Sequence, residues 1–179
     1  ESVPGLVIPA TAGTAGNGET MKILVFSDTH GRTERMLEVI GSVEHDLVLH
    51  LGDCVADARC IEREFPSERL RYVAGNNLHD VMLHVPGQLL FMEAGVVIFM
   101  THGQDYLVRS GTAQLYTAAL RCGARLVLYG HTHIGHVETR GGIIFFNPGS
   151  ASLDRSRMGE SWGLVEIQGG RIECRILYF

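Results

Sequence analysis

Long apolar runs are missing from this 179-residue chain. None approaches the ~18 residues that a membrane-crossing helix needs, so no membrane partner is expected. An excess of positive charge is missing too. Fifteen Lys and Arg stand against 20 Asp and Glu, a formal net charge of −5. That balance gives no general attraction to nucleic acid or anionic lipid. Cysteine is scarce: Cys54, Cys60, Cys122 and Cys174 include no C-x-x-C pair and are irregularly spaced. A zinc cluster is therefore not indicated, and reduced thiols in a cytoplasmic protein are expected. There is no internal repeat and no serine or cysteine nucleophile motif.

What is present fits a single soluble domain. Apolar residues make up 45% and charged residues 20%, enough apolar content for a sizeable core in a chain of this length. Residues 1–20, rich in Gly, Ala, Thr and Pro, differ from the rest. They lack a basic segment, and Pro4, Gly5 and Pro9 break their short apolar stretch, so they make a poor signal peptide. They read as a flexible extension or cloning remnant ahead of a domain spanning 21–179.

Lys22–Phe26 reads as a buried strand, 33–43 as a helix, Asp46–Leu51 as a strand, 57–65 as a helix and Leu70–Ala74 as a strand. This β-α-β-α-β order implies right-handed crossovers and a parallel sheet. The second half is mostly strand: Gln88–Glu93, Val96–Thr101, 126–129, Ile134–Thr139, Ile143–Phe146, Gly163–Gln168 and Arg171–Leu177, with one helix over 112–122. Gly169-Gly170 is a strong hairpin signal. The fold class expected is α/β, with two packed mixed sheets and helices outside.

Most of these strands end in the same kind of residue. Asp28-Thr29-His30 follows the first, Gly52-Asp53 the second and Gly75-Asn76 the third. His102-Gly103 follows 96–101, and Gly130-His131-Thr132-His133 follows 126–129. Ligands of α/β folds bind beyond the carboxyl ends of strands. Two carboxylates, one amide and four imidazoles make a poor core filling but a good cage for borderline divalent cations. Seven donors suit two metals about 3.5–4 Å apart that share a carboxylate. The spacing of two in Asp28/His30 and His131/His133 places each pair on one side if the backbone is extended. His136, three past His133, breaks that alignment and is assigned to the outgoing strand.

The ordered set Asp28-x-His30, Gly52-Asp53, Gly75-Asn76, His102-Gly103, Gly130-His131-x-His133 resembles the calcineurin-like metallophosphoesterases. It is most similar to their small single-domain bacterial and archaeal branch, itself related to a non-enzymatic retromer subunit of eukaryotes. Asn147-Pro148-Gly149-Ser150 matches a further motif of that branch. The resemblance implies an α/β/β/α sandwich. It implies one metal on Asp28, His30, Asp53 and His133, and a second on Asp53, Asn76, His102 and His131. Mn2+ is the first expectation, with Fe, Zn, Ni, Co or Mg as alternatives. Asp53, Asn76 and His102 are the expected catalytic residues. A water held between two such cations would be acidified and could attack a phosphoester in line.

The chain departs from the pattern at Gly75-Asn76-Asn77-Leu78-His79-Asp80, where many relatives carry a histidine or cysteine after Gly-Asn. Asn77 cannot act as a general acid, so weak activity on poor leaving groups is expected unless His79 reaches the site. Asn77 and Arg155 are candidate substrate contacts, with Arg157 a loop neighbour. His45, His50, His79 and His84 are read as surface or locally bonded residues, and Trp162 as packing. The expected partner is a phosphoester, small or nucleotide-like, with homo-oligomerisation left open. A metal-binding or protein-interaction scaffold of the same fold is the competing expectation.

Overall fold

The computed structural model describes residues 19–179. Alternation within its strands sets the layers. In β1 (Met21–Phe26), Ile23 and Val25 face one apolar cluster while Leu24 and Phe26 face another. A strand apolar on both faces belongs in the interior of a covered sheet. β1 pairs in parallel with β2 (Leu47–His50), which pairs in parallel with β3 (Leu70–Tyr72). β9 (Ser161–Gln168) lies antiparallel on the other side of β1, and β10 (Arg171–Tyr178) is antiparallel to β9. The order of this sheet is β10-β9-β1-β2-β3.

The second sheet joins β4 (Gln88–Glu93), β5 (Val96–Thr101), β6 (Leu126–Leu128), β7 (Gly135–Arg140) and β8 (Ile143–Pro148) in the order β4-β5-β6-β8-β7. β5, β6 and β8 run parallel, with antiparallel β4 and β7 at the two edges. The facing surfaces of the sheets form one core: Ile23, Val25, Leu49, Ile98, Met100, Leu126, Leu128 and Phe146 meet there. α1 (Glu34–Ser42) and α2 (Val55–Glu64) cover the first sheet through Met36, Ile40 and Ile61. α4 (Ala113–Cys122) covers the second sheet through Leu115, Ala118 and Ala119, packed on Phe99, Val127 and Phe145. The result is the expected four-layer α/β/β/α sandwich. Trp162 stacks on Phe26 inside it, with ring centroids 6.1 Å apart.

The boundaries differ from expectation where distant groups intervene. α2 starts at Val55 because its first amide donates to Asp80 Oδ1 (2.8 Å), a cap supplied 25 residues away. β3 ends at Tyr72, after which Ala74 N–H turns to Pro86 O (3.0 Å). The short helix α3 (Leu78–Met82) was not anticipated, because Leu78 and Met82 are exposed and give no apolar period. Two 3-10 turns, Gln104–Tyr106 and Val108–Ser110, follow β5 and were likewise not anticipated. Of the extension expected at 1–20, all but the last two residues lie outside the described residues.

Candidate metal centre

The loops after β1, β2, β3, β5 and β6 meet at the carboxyl ends of the parallel strands. They are laced together by backbone bonds: Asp28 N–H to Gly52 O (3.1 Å), His30 N–H to Asp53 O (3.3 Å) and Gly130 N–H to His102 O (2.9 Å). The expectation that Asp28/His30 and His131/His133 share a side through extended backbone is corrected here. Asp28, His30, Asp53, His131 and His133 all have positive φ, between 46° and 68°. Left-handed backbone at non-glycine residues is uncommon and concentrates at functional sites. The pairs converge because each loop curls, not because a strand alternates.

Two glycines make the curl possible. A Cβ on Gly75 would lie 2.0 Å from Asp53 Oδ1, and one on Gly130 would lie 2.0 Å from Ser27 Oγ and 2.9 Å from Asp28 Oδ2. Only hydrogen fits at either position.

Two groups of donors result, each with its ligand atoms within 4.8 Å of one another: Asp28, His30 and His133, and Asp28, Asp53 and His102. His133 Nε2 lies 3.2 Å from Asp28 Oδ1 and 3.3 Å from His30 Nε2. His102 Nε2 lies 3.5 Å from Asp53 Oδ2 and 3.9 Å from Asp28 Oδ1. Asn76 Oδ1 sits 3.2 Å from His102 Nε2 and 3.0 Å from His131 Nδ1. All seven anticipated donors are therefore brought together. Asp28 is common to both groups, and Asp53 belongs to the second beside His102.

The outer nitrogens fix the imidazoles. His133 Nδ1 donates to Leu153 O (2.8 Å) and His102 Nδ1 donates to Leu51 O (2.8 Å). In each neutral ring, the lone pair on Nε2 is thereby aimed into the site, the usual arrangement of a metal-ligating histidine. Asp28 Oδ2 accepts from Ser27 Oγ (2.5 Å) and His131 N–H (3.1 Å). Asp28 Oδ1, fully buried, has no hydrogen-bond partner. A buried carboxylate oxygen facing imidazole lone pairs is stable only with a cation or proton between them. The donor set fits divalent metals.

Burial works against the charge on Asp28, but His133, His102 and the Ser27 hydroxyl outweigh it and hold the carboxyl below its ordinary range. Asp53 is also depressed, with His102, Asn77 and the Asn76 amide overcoming its burial. His102 is raised by Asp53 and Asp28 against its burial. His131 is lowered by burial first, then by the charges of His102 and Arg109.

Several residues that sequence reasoning did not place at the site brace these ligands. Asp57 Oδ2 accepts from Gly31 N–H (2.7 Å), pinning the loop after His30. Asp80 holds Val55 N–H with one oxygen and Gly75 N–H with the other (2.9 Å), joining the Asp53 and Asn76 loops. His50, buried, lies 3.0 Å from Thr29 Oγ1 and accepts Gly52 N–H at 3.3 Å. The Asn147-Pro148-Gly149-Ser150 turn has a bracing role of its own. Asn147 Nδ2 donates to Gly130 O (2.9 Å) and Thr132 Oγ1 (3.1 Å), while Ser150 and Ser152 both donate to Asp28 O. Asn147-Pro148-Gly149-Ser150 had signalled itself through its resemblance to a family motif, whereas Asp57 and Asp80 carried no signal beyond polarity beside turns.

The remaining candidates are placed as follows. Asn77 Nδ2 donates to Asp53 Oδ1 (3.2 Å), and its Oδ1 caps α3 through Asp80 N–H (2.9 Å). His79 is exposed on α3. Arg155 borders a cavity that also includes His136, whose Nδ1 meets Tyr129 OH at 2.8 Å. His45 faces Glu68 at 3.2 Å. The four cysteines are free, and none joins either donor group. Among the described residues no helix is long and apolar enough to cross a membrane.

Comparison with known proteins agrees with this geometry. Residues 21–170 match the calcineurin-like phosphoesterase superfamily domain. The chain is 30% identical to the "Probable metallophosphoesterase YsnB" of Bacillus subtilis, over 87% of this chain and 89% of that one. It is 31% identical to phosphodiesterase YfcE of Escherichia coli, over 82% and 88%. Among solved structures, a predicted phosphoesterase of Streptococcus pneumoniae superposes with a TM-score of 0.74 at 29% identity, covering 89% and 90%. A vacuolar protein sorting 29 of Cryptosporidium parvum shares the fold, with a TM-score of 0.69 at 19% identity over 89% and 98%. The chain belongs to the calcineurin-like phosphoesterase superfamily.

Proposed function

We propose that this member of the calcineurin-like phosphoesterases is a dinuclear, divalent-metal-dependent hydrolase that prefers phosphodiesters. The observation that carries the reading is Asp28 Oδ1, buried without a partner among the nitrogens of His30, His102 and His133. One cation would sit on Asp28, His30, Asp53 and His133, the other on Asp53, Asn76, His102 and His131, with Mn2+ the first choice. Bound there, the cations would supply Lewis-acid polarisation of the phosphoryl oxygens and an acidified water.

The chain's own part is preorganisation. Asp53, Asn76 and His102 are held by backbone and side-chain bonds before any substrate arrives, so little reorganisation accompanies reaction. Asn77 cannot protonate a departing oxygen, and its side chain is committed to Asp53 and to the α3 cap. Leaving groups must therefore depart with little help, which favours activated esters. A scaffold of the same fold would need no such complete donor set.

The test is hydrolysis of bis-p-nitrophenyl phosphate and p-nitrophenyl phosphate by Mn2+-loaded and chelator-treated protein. Metal-dependent cleavage with the diester faster is expected. Two bound metals without turnover of any phosphoester would overturn the hydrolase reading.

A further inference from the structure

The two flanks of the sandwich are finished differently. On the flank where β3 and β4 end their sheets, buried Glu93 holds Arg69 at 3.1 Å and Arg71 at 3.2 Å. The Arg71 guanidinium also covers the Phe91 ring, 4.8 Å from its centroid. That ionic clamp closes the core on one side. On the flank of β7 and β10 the core opens. Val137 of β7 leaves 46% of its surface exposed. Ile172, Cys174 and Ile176 of β10 reach the core between the sheets but are only partly buried.

β7 and β10 have no strand on their outer sides among the described residues. Each is joined to its inner neighbour by a two-residue turn of positive-φ glycines, Gly141-Gly142 and Gly169-Gly170. The residues flanking such a turn exchange both backbone bonds, and bonding then alternates along the strand. Arg171, Glu173 and Arg175 thus bond to β9, and His136, Glu138 and Arg140 to β8. The Phe179 N–H to Glu160 O bond (3.1 Å) keeps the same phase. The amides and carbonyls of Ile172, Cys174 and Ile176, and of Val137 and Thr139, therefore point away from the sheets.

Open edges of this kind take up another strand, and the charge pattern of β10 suits its own copy. A two-fold axis at Glu173 or Arg175 would set like charges opposite, which destabilises a strand pair. An axis at Ile172 or Ile176 would overlap only one end of the strand. An axis at Cys174 pairs β10 over its whole length. Ile172 then meets Ile176 of the partner subunit, Glu173 meets Arg175 of the partner subunit, and Gly170 leaves room for Tyr178 of the partner subunit.

The same axis serves β7. A Cβ on Gly135 would lie 2.9 Å from Ile176 Cδ1, so the two strands stack there. β10 runs toward the end of the sandwich that carries the metal centre, and β7 runs away from it. Two residues along each strand, Val137 comes to the level of Cys174. An axis through both sets Val137 against its copy and Glu138 opposite His136 of the partner subunit.

We propose that β7 and β10 together form the interface of a two-fold homodimer. It joins each five-stranded sheet to its copy and covers Val137, Ile172, Cys174 and Ile176. The dimer does not depend on the hydrolase reading.

The test is sedimentation of wild type, Val137→Lys, Arg175→Glu and the double variant Glu173→Arg/Arg175→Glu. All three positions are exposed in the single chain, so its core is left intact. Wild type is expected to be a dimer at about 100 µM chain. Paired lysines at the axis, or like charges across it, are expected to weaken association about tenfold or more. The double variant restores opposite charges in the same register and is expected to return to within about threefold of wild type. Hydrogen exchange locates the contact: the outward amides of β7 and β10 should exchange more slowly in concentrated than in dilute wild type. A wild type that stays monomeric at that concentration would overturn the proposal. So would a dimer that neither single variant weakens by more than about twofold, or one that leaves those amides unprotected.

Discussion

Asp28 Oδ1 faces His133 Nε2 across 3.2 Å while the far nitrogen of that ring donates to Leu153 O. In the neutral ring, two lone pairs confront each other in a buried site. The arrangement is poised for a cation, and without one either a proton sits between the two groups or they repel each other.

Asp28→Asn should therefore separate function from stability. The amide oxygen can keep the Ser27 and His131 bonds, and the amide nitrogen can donate to His133. Chelator-treated variant should melt a few °C above chelator-treated wild type, corresponding to about 1 kcal/mol. Its metal content should fall. Calorimetry with metal analysis checks both, and a lower melting temperature in the apo variant would contradict the repulsion account.

Buried His50 should make stability depend on pH. Burial lowers its pKa to about 4, against the opposing charges of Asp57, Asp28 and Asp80. The unfolded ring titrates near ~6.5. Between those values the unfolded chain binds the extra proton. Stability present above pH ~6.5 is thus lost as pH falls toward 4, by at most about 3 kcal/mol. Urea unfolding in chelator at pH 7 and pH 4.5 should show this loss in wild type and a smaller one in His50→Gln. Equal losses would remove His50 as the cause.

Gly75→Ala should damage the centre without replacing a ligand. The added methyl would lie 2.0 Å from Asp53 Oδ1, so Asp53 must move. Displacing a ligand's support typically weakens metal binding about 10- to 100-fold. A Mn2+ titration that gives wild-type affinity would show that the loop relaxes freely.

Asn77→His should trade stability for leaving-group range. The histidine could protonate a departing oxygen, raising turnover of alkyl phosphoesters more than of activated aryl ones. It would also remove the α3 cap and the Asp53 contact, costing about 1 kcal/mol. Unchanged alkyl-ester turnover would show that Asn77 is not what limits poor leaving groups.

The fold was legible because the inner strands of both sheets are apolar on both faces, which leaves a strong signal in runs such as Lys22–Phe26 and Leu126–Tyr129, while edge strands β7 and β10 carry a more polar pattern. The seven donors were legible because each ends a strand. What escaped was geometry carried by other parts of the chain. Asp80 caps α2 across 25 residues, and no local pattern marks such a bond. α3 escaped because its apolar residues point to solvent. Histidine spacing suggested extended backbone, whereas positive φ at His131 and His133 does the aiming. His136 was assigned to the outgoing strand and lies on β7, bonded to Tyr129 rather than to the donor groups.

Metal stoichiometry tests the central claim most directly. Protein loaded with Mn2+, freed of excess by gel filtration and analysed by inductively coupled plasma mass spectrometry, should carry two ions per chain, and His131→Ala should carry one. A wild type holding a single ion, or a His131→Ala variant still holding two, would contradict a dinuclear centre built on these residues.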